Sequence, residues 1–183
     1  MPIVGHRIRL TMQEHRISII GTSGAGKTTV ASRVAQKLSI AHIELDALRH
    51  GPNWTEMPDD ELRRRVTECI ASPNWVIDGN YSAVRELVWQ RATTVAWIDP
   101  PHWRIMTQVI GRSISRAVTQ KELWNGNRET VRSWLNADHP IWWALRTHTA
   151  RQAKFEAQMQ PNWIRLRSRA DVESWIASLS ASG

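Results

Sequence analysis

Among 183 residues there are one cysteine, one tyrosine and one phenylalanine, and long uninterrupted apolar runs are missing. The lone thiol, Cys69, cannot close an internal disulfide, so the fold must rest on a buried core. A chain within the ~100–200 residues of an ordinary domain is long enough to build one. No N-terminal stretch has the pattern of a signal peptide, and nothing approaches the ~20 apolar residues that a membrane helix needs. The expectation is one domain over residues 1–183, cytoplasmic, with no membrane partner.

Acidic residues are in the minority as well, 17 against 24 basic ones, for a formal net charge of +7. Of those 24, 20 are arginine, the side chain best shaped to hold a phosphate through two parallel hydrogen bonds. An anionic ligand fits this balance, and so does an arginine-decorated surface with no binding role. The shortage of tyrosine and phenylalanine is offset by eleven tryptophans. Trp75, Trp97 and Trp163 fall inside apolar segments, which points to core packing; stacking on nucleic-acid bases is the other use of such rings. The seven histidines have no metal-ligand spacing, and none is read as a ligand.

What is present is an alternation. Short apolar segments at Ile17–Ile20, His42–Leu45, Trp75–Ile77, Thr94–Ile98 and Trp163–Leu166 read as strands. Helical spacing follows each of them: Val30, Val34 and Leu38; Leu62, Val66 and Ile70; Val84, Leu87 and Val88; Trp103, Met106, Ile110 and Ile114; Val172, Trp175, Ile176 and Leu179. Such alternation implies a parallel sheet covered by helices, with ligands bound beyond the carboxyl ends of the strands. Gly21, Asp46, Asp78, Asp99 and Arg167 sit at those ends. About sixty residues separate the fourth and fifth strands, and the polar run from Thr119 to Thr130, broken by Asn125-Gly126-Asn127, reads as part of a lid over about 111–135. The first fifteen residues carry no clear pattern, and an added strand or a loose arm would suit them.

Gly21, Gly26, Lys27 and Thr28 satisfy G-x-x-x-x-G-K-[ST] between a predicted strand and a predicted helix, the context that this motif requires. Glycine lets the backbone curl until its N–H groups face phosphate oxygens, and the helix that starts there adds its positive end. Gly21, Thr22, Ser23, Gly24, Ala25, Gly26, Lys27, Thr28 and Thr29 are therefore expected to hold ATP, with Lys27 reaching the β- and γ-phosphates and Thr28 offering a hydroxyl to Mg2+. No N-K-x-D guanine signature accompanies the motif, and the length does not suit a transporter ATPase or an oligomeric motor; a small kinase remains.

Asp78, in "VIDGNY", closes an apolar strand where it could hold the metal's water shell or position an acceptor, and Gly79 and Asn80 follow it. Asp46, in "LDAL", could accept the proton of an attacking hydroxyl or cap the next helix. Arg112 and Arg116 share one helical face, as do Arg128 and Arg132, flanking the lid; they could fold over the transferring phosphoryl group or form solvated faces. Arg85 and Arg49 are candidates for the acceptor side.

The cradle, "LDAL", "VIDGNY" and "LRSRADVESWI" (Leu166–Ile176) together resemble one family, the small adenylate-kinase-like P-loop proteins labelled DNA topology modulation proteins, over about Arg16 to Leu179. The resemblance implies a P-loop NTPase fold: a five-stranded parallel sheet flanked by helices, with a helical lid between strands 4 and 5. It also implies ATP at Gly21–Thr29 and places Arg167 and Arg169 near the adenine. Adenylate kinases continue their third strand into Asp-Gly-Phe-Pro-Arg; here Asn80 and Tyr81 replace the phenylalanine and proline, so the resemblance does not extend to AMP as acceptor. The resulting expectation is an ATP- and Mg2+-dependent kinase acting on a hydroxyl or nucleotide as monomer or homodimer. The rival is an ATP-regulated nucleic-acid-associated protein, which no helix-turn-helix or zinc-finger pattern favours.

Overall fold

The computed structural model describes residues 14–119 and 150–180, the side chains of Asn53 and of 112–119 excepted. Five strands, β1 (Arg16–Gly21), β2 (Ala41–Glu44), β3 (Trp75–Asp78), β4 (Thr94–Ile98) and β5 (Trp163–Leu166), form one sheet in the order β2-β3-β1-β4-β5. Every pairing is parallel, so each connection crosses over, and the crossovers are helical. The helices are α1 (Lys27–Leu38), α2 (Leu45–Arg49), α3 (Asp59–Cys69), α4 (Ser82–Arg91), α5 (His102–Thr119), α6 (150–158) and α7 (Arg169–Ser178). All five strands match the segments read from sequence. The short α2 and the turn of 3-10 helix at Pro52–Trp54 carry too few residues to show a period and were not foreseen.

Side chains alternate along the strands, so the sheet sorts its apolar residues between two layers. Ile17, Ile19, Val76, Ala96, Ile98 and Leu166 face α1 and α7, meeting Val30, Val34, Leu38, Val172 and Ile176. Ile20, Trp75, Ile77, Val95, Trp97 and Trp163 face the opposite layer, with Leu62, Val66, Val84, Val88 and Phe155. The core role read for Trp75, Trp97 and Trp163 holds, since all three are buried. The chain's one phenylalanine, Phe155, meets Trp97 edge-on at 5.5 Å and ties α6 to the sheet.

Along α5 the helical period was right and its phase was wrong. Trp103 and Ile110 are exposed, whereas Ile105 and Val109 are buried. The reason is local: Ile105 and Val109 seat against Gly24 of the β1–α1 loop, where an added Cβ would run into the Val109 methyl. Trp75 is fully buried and its indole N–H donates to Ile70 O at 3.2 Å. Trp75→Ala removes that ring and should cost about 3–5 kcal/mol, read as a lower urea midpoint with an unchanged m value.

Candidate functional site

The loop joining β1 to α1 owes its shape to three glycines with positive φ: Gly21 (150°), Gly24 (83°) and Gly26 (92°). At Gly21 an added Cβ would lie 2.5 Å from Ile98 O, so the strand neighbour as well as the torsion demands glycine. At Gly26 no atom crowds the position, and the left-handed torsion alone sets the requirement. Gly26 is also the N-cap of α1; no side chain caps the helix, and its first turn holds no acidic residue. The contrast is α7, whose Ser168 and Asp171 form a reciprocal capping box. Asp171 accepts from Ser168 N and Arg167 N, and the Ser168 side chain, together with these two amides, holds its carboxyl below the usual range. The positive end of α7 is met by its own side chains, and that of α1 is left to whatever the loop encloses.

Lys27 reaches back across this loop, its Nζ donating to Thr22 O at 3.1 Å. Thr28, one residue on, donates its hydroxyl to Asp78 Oδ2 at 2.6 Å. The strand register explains the meeting: Asp78 pairs with Ile19 across β1–β3, so the end of β3 lies beside the start of α1. The other oxygen, Asp78 Oδ1, lies 3.2 Å from His42 Nε2 on β2. A buried carboxylate is thus shared by a hydroxyl and an imidazole. Among the described residues no cluster of three or more His, Cys, Asp or Glu could hold a metal ion. A hydroxyl and a single carboxylate are, however, the donor set that suits Mg2+, which keeps waters and takes phosphate oxygens for its remaining positions.

The second carboxylate, Asp46, is the second residue of α2 and not its N-cap, which is Glu44. Its Oδ1 accepts from the Tyr81 hydroxyl at 2.7 Å, and the same hydroxyl is 3.3 Å from His50 Nε2. Burial, with the charge of Asp46 adding to it, pushes the Tyr81 phenol well above its ordinary value. Nearby, Arg85 Nε donates to Asn80 Oδ1 at 2.8 Å, and its guanidinium lies 5.5 Å from the Trp89 ring. Burial lowers the pKa of Arg85. Arg151 on α6 is pushed down to about 10 by burial and by the charge of Arg85. Arg49 is committed elsewhere: it donates to Met57 O, Asp59 and Glu56 and so ties down its own loop.

On the other side of the cradle a cleft of about 470 Å³ opens between the loop, α5 and the β5–α7 turn. Gly24, Gly26 and Thr29 line its floor, with Arg104 and Gln108 on one wall and Arg167 and Arg169 on the other. Arg33, a further lining residue, is held by Glu173 through two bonds of 2.8 and 2.6 Å.

Two groups of expected residues therefore come together, Thr28 with Asp78 and Asn80 with Arg85, and the Gly21–Thr29 loop shares one cleft with Arg167 and Arg169. Asp99 has a structural part: it is buried and Arg165 grips its Oδ2 at 2.8 and 2.7 Å. Arg112 and Arg116 lie on α5 with side chains outside the described residues, and Arg128, Arg132 and most of the expected lid lie wholly outside them. His42 and Arg151 were missed; neither belongs to a motif, and each acts through a neighbour that only the sheet register or α6 supplies. Tyr81 entered the sequence reading only as the end of "VIDGNY" and as a departure from the adenylate kinase pattern, with no role of its own.

No protein-family model matches the chain. An assigned adenylate kinase of Thermococcus onnurineus is 37% identical over 73 residues, which span 36% of this chain and 41% of that protein. The cytidylate kinase of Desulforamulus reducens is 42% identical over 66 residues, 30% of each chain. The chain therefore matches less than half the length of these relatives. In structure it is similar to the shikimate kinase of Bacteroides thetaiotaomicron, with a TM-score of 0.51 and 17% identity over 89% of this chain and 94% of the other. It is also similar to the Acinetobacter baumannii shikimate kinase solved with shikimate, with a TM-score of 0.54 and 18% identity over 86% and 87%. The fold is the one shared with these shikimate kinases, and the curated relatives are named as nucleotide kinases; the DNA topology label finds no support among them. No helix among the described residues is long and apolar enough to cross a membrane.

Gly24→Ala puts a methyl group against Val109 at a left-handed torsion. It should lower the melting temperature and also abolish any rise in that temperature on adding Mg-ATP, both read in one thermal-shift series.

Proposed function

We propose that the chain is an ATP- and Mg2+-dependent phosphotransferase acting on a small molecule, most simply on a hydroxyl. The observation that carries this reading is the pair of carboxylates beside neighbouring strand ends, Asp78 closing β3 and Asp46 two residues beyond β2. Asp78 is bonded to the hydroxyl that follows the cradle lysine, and Asp46 stands apart with a tyrosine partner. The relatives' names agree with a kinase and leave the acceptor open.

In this reading the Gly21–Thr29 loop and the start of α1 hold the triphosphate, and the base lies in the cleft beside Arg167 and Arg169. Lys27 leaves Thr22 O to neutralise charge on the γ-phosphoryl group, joined by arginines of the lid, with Arg112, Arg116 and Arg128 the candidates. Thr28 and Asp78 would hold Mg2+. Once bound, that ion supplies positive charge to the phosphate oxygens. Asp46 orients the acceptor hydroxyl and takes its proton as the acceptor oxygen bonds to phosphorus and the bond to the β–γ bridging oxygen breaks, with ADP leaving.

An acceptor with an anionic group suits the opposite wall. Arg85, partly buried and fixed at Nε by Asn80 Oδ1, is the candidate to meet such a group. Asn80 fixes the Arg85 fork, and Gly79 and Asp78 complete the acceptor side.

ATP turnover over a panel of nucleosides, nucleotides, sugars, hydroxy acids and antibiotics tests the proposal. At least one acceptor should raise turnover. Lys27→Ala and Asp46→Asn should each reduce the stimulated rate by about a hundredfold or more. Failure of every acceptor, together with slow hydrolysis that Lys27→Ala does not change, would contradict it. Among active acceptors, those bearing a phosphate or carboxylate should lose affinity in Arg85→Ala, seen as a higher KM at similar kcat.

A further inference from the structure

Tyr81 has no part in the chemistry described so far, yet its hydroxyl is among the best-anchored polar groups near the site. It donates to Asp46 Oδ1 at 2.7 Å and lies 3.3 Å from His50 Nε2. A phenol carries one proton, so with that proton given to Asp46, His50 meets the hydroxyl as a donor through Nε2–H. The result is a directed chain in which His50 donates to Tyr81 and Tyr81 donates to Asp46.

The backbone brings these groups together on purpose-built terms. Gly79 adopts φ 120°, and a Cβ there would stand 2.8 Å from Leu45 Cβ. The β3–α4 turn can therefore press directly onto the first residue of α2, next to Asp46. Two residues on, Tyr81 is the N-cap of α4 in extended conformation, without a side-chain capping bond. Its side chain is spent on α2 rather than on its own helix. Arg49, 5.8 Å from the phenol ring and itself bonded to Glu56 and Asp59, closes the other side.

We propose that Tyr81 is a positioning residue: by donating to Oδ1 it fixes the Asp46 carboxylate in one rotation and presents Oδ2 to the acceptor hydroxyl. Tyrosine does this better than water because it is anchored at both ends, by its helix and by His50. A carboxylate near the surface otherwise rotates freely, and the geometry of proton transfer is lost with it. This inference rests on the reading of Asp46 as the acceptor-side base.

Because Tyr81 is the chain's one tyrosine, two kinds of readout isolate it. The first is kinetic, a double-mutant cycle of wild type, Tyr81→Phe, Asp46→Asn and the double variant. It is assayed with the panel acceptor of highest turnover, or with water as acceptor if none raises the rate. Tyr81→Phe should slow transfer about tenfold to a hundredfold, with ATP affinity unchanged, and should slow Asp46→Asn no further. If Tyr81→Phe is within twofold of wild type, or if its loss is the same in both backgrounds, the inference is overturned while Asp46 keeps its role. If Asp46→Asn is itself as fast as wild type, the reading of Asp46 falls and takes this inference with it.

The second readout needs neither turnover nor a folded phenylalanine variant. The single tyrosine signal, in ring-carbon NMR or ultraviolet difference absorbance, is titrated with alkali in wild type and in Asp46→Asn. Besides Asp46, the charged and titratable groups around it are His50, Arg49 and Glu56. Burial is the larger cause of its raised pKa and persists in the variant, so the midpoint should fall but stay above the ordinary ~10 of a tyrosine. An unchanged midpoint would mean that the hydroxyl does not serve Asp46, and would overturn the inference.

Discussion

A backbone that must turn from a buried strand into a helix without side chains in the way governs this molecule. Gly21 cannot carry a Cβ because Ile98 O lies against it, and Gly24 cannot because Val109 does. Those two contacts fix the glycine loop between β4 and α5, so it is clamped by the sheet on one side and by a helix on the other. The uncapped start of α1 then faces the loop's interior, and the positive end of a twelve-residue helix is available to a ligand.

The parallel sheet converts that loop into a site. Because β3 lies between β1 and β2, Asp78 reaches Thr28 on one side and His42 on the other. Because α2 follows β2 at once, Asp46 lies two residues beyond the end of β2, where Tyr81 holds it. Two carboxylates of one residue type are given different partners, a hydroxyl and imidazole for one, a phenol for the other. In the proposed function these different surroundings would let one serve a metal and the other a proton.

Much of this was legible in the residues. The five strands, the burial of three tryptophans and the glycine-rich turn from β1 into α1 follow from period, composition and spacing, because each is decided by neighbours close along the chain. The face of α5 was not legible: Ile105 and Val109 are buried only because Gly24 leaves room for them, and Trp103 begins an equally regular stripe. The partners of the carboxylates were hidden for the same reason. His42 and Asp78 are 36 residues apart, Asp46 and Tyr81 are 35 apart, and strand order, not sequence, brings them together. Asp99, at a strand end like the others, belongs to Arg165, since an outer strand places that arginine beside it.

The central claim is that the glycine loop grasps the triphosphate tail of a nucleotide. Isothermal titration calorimetry of the full chain with ATP and Mg2+, set beside adenosine alone, tests it most directly. The account expects saturable heat with one site for the triphosphate, weaker or no binding of adenosine, and loss of the triphosphate signal in Lys27→Ala. Equal binding of adenosine and ATP, or no heat from any purine triphosphate with folded protein, would contradict it.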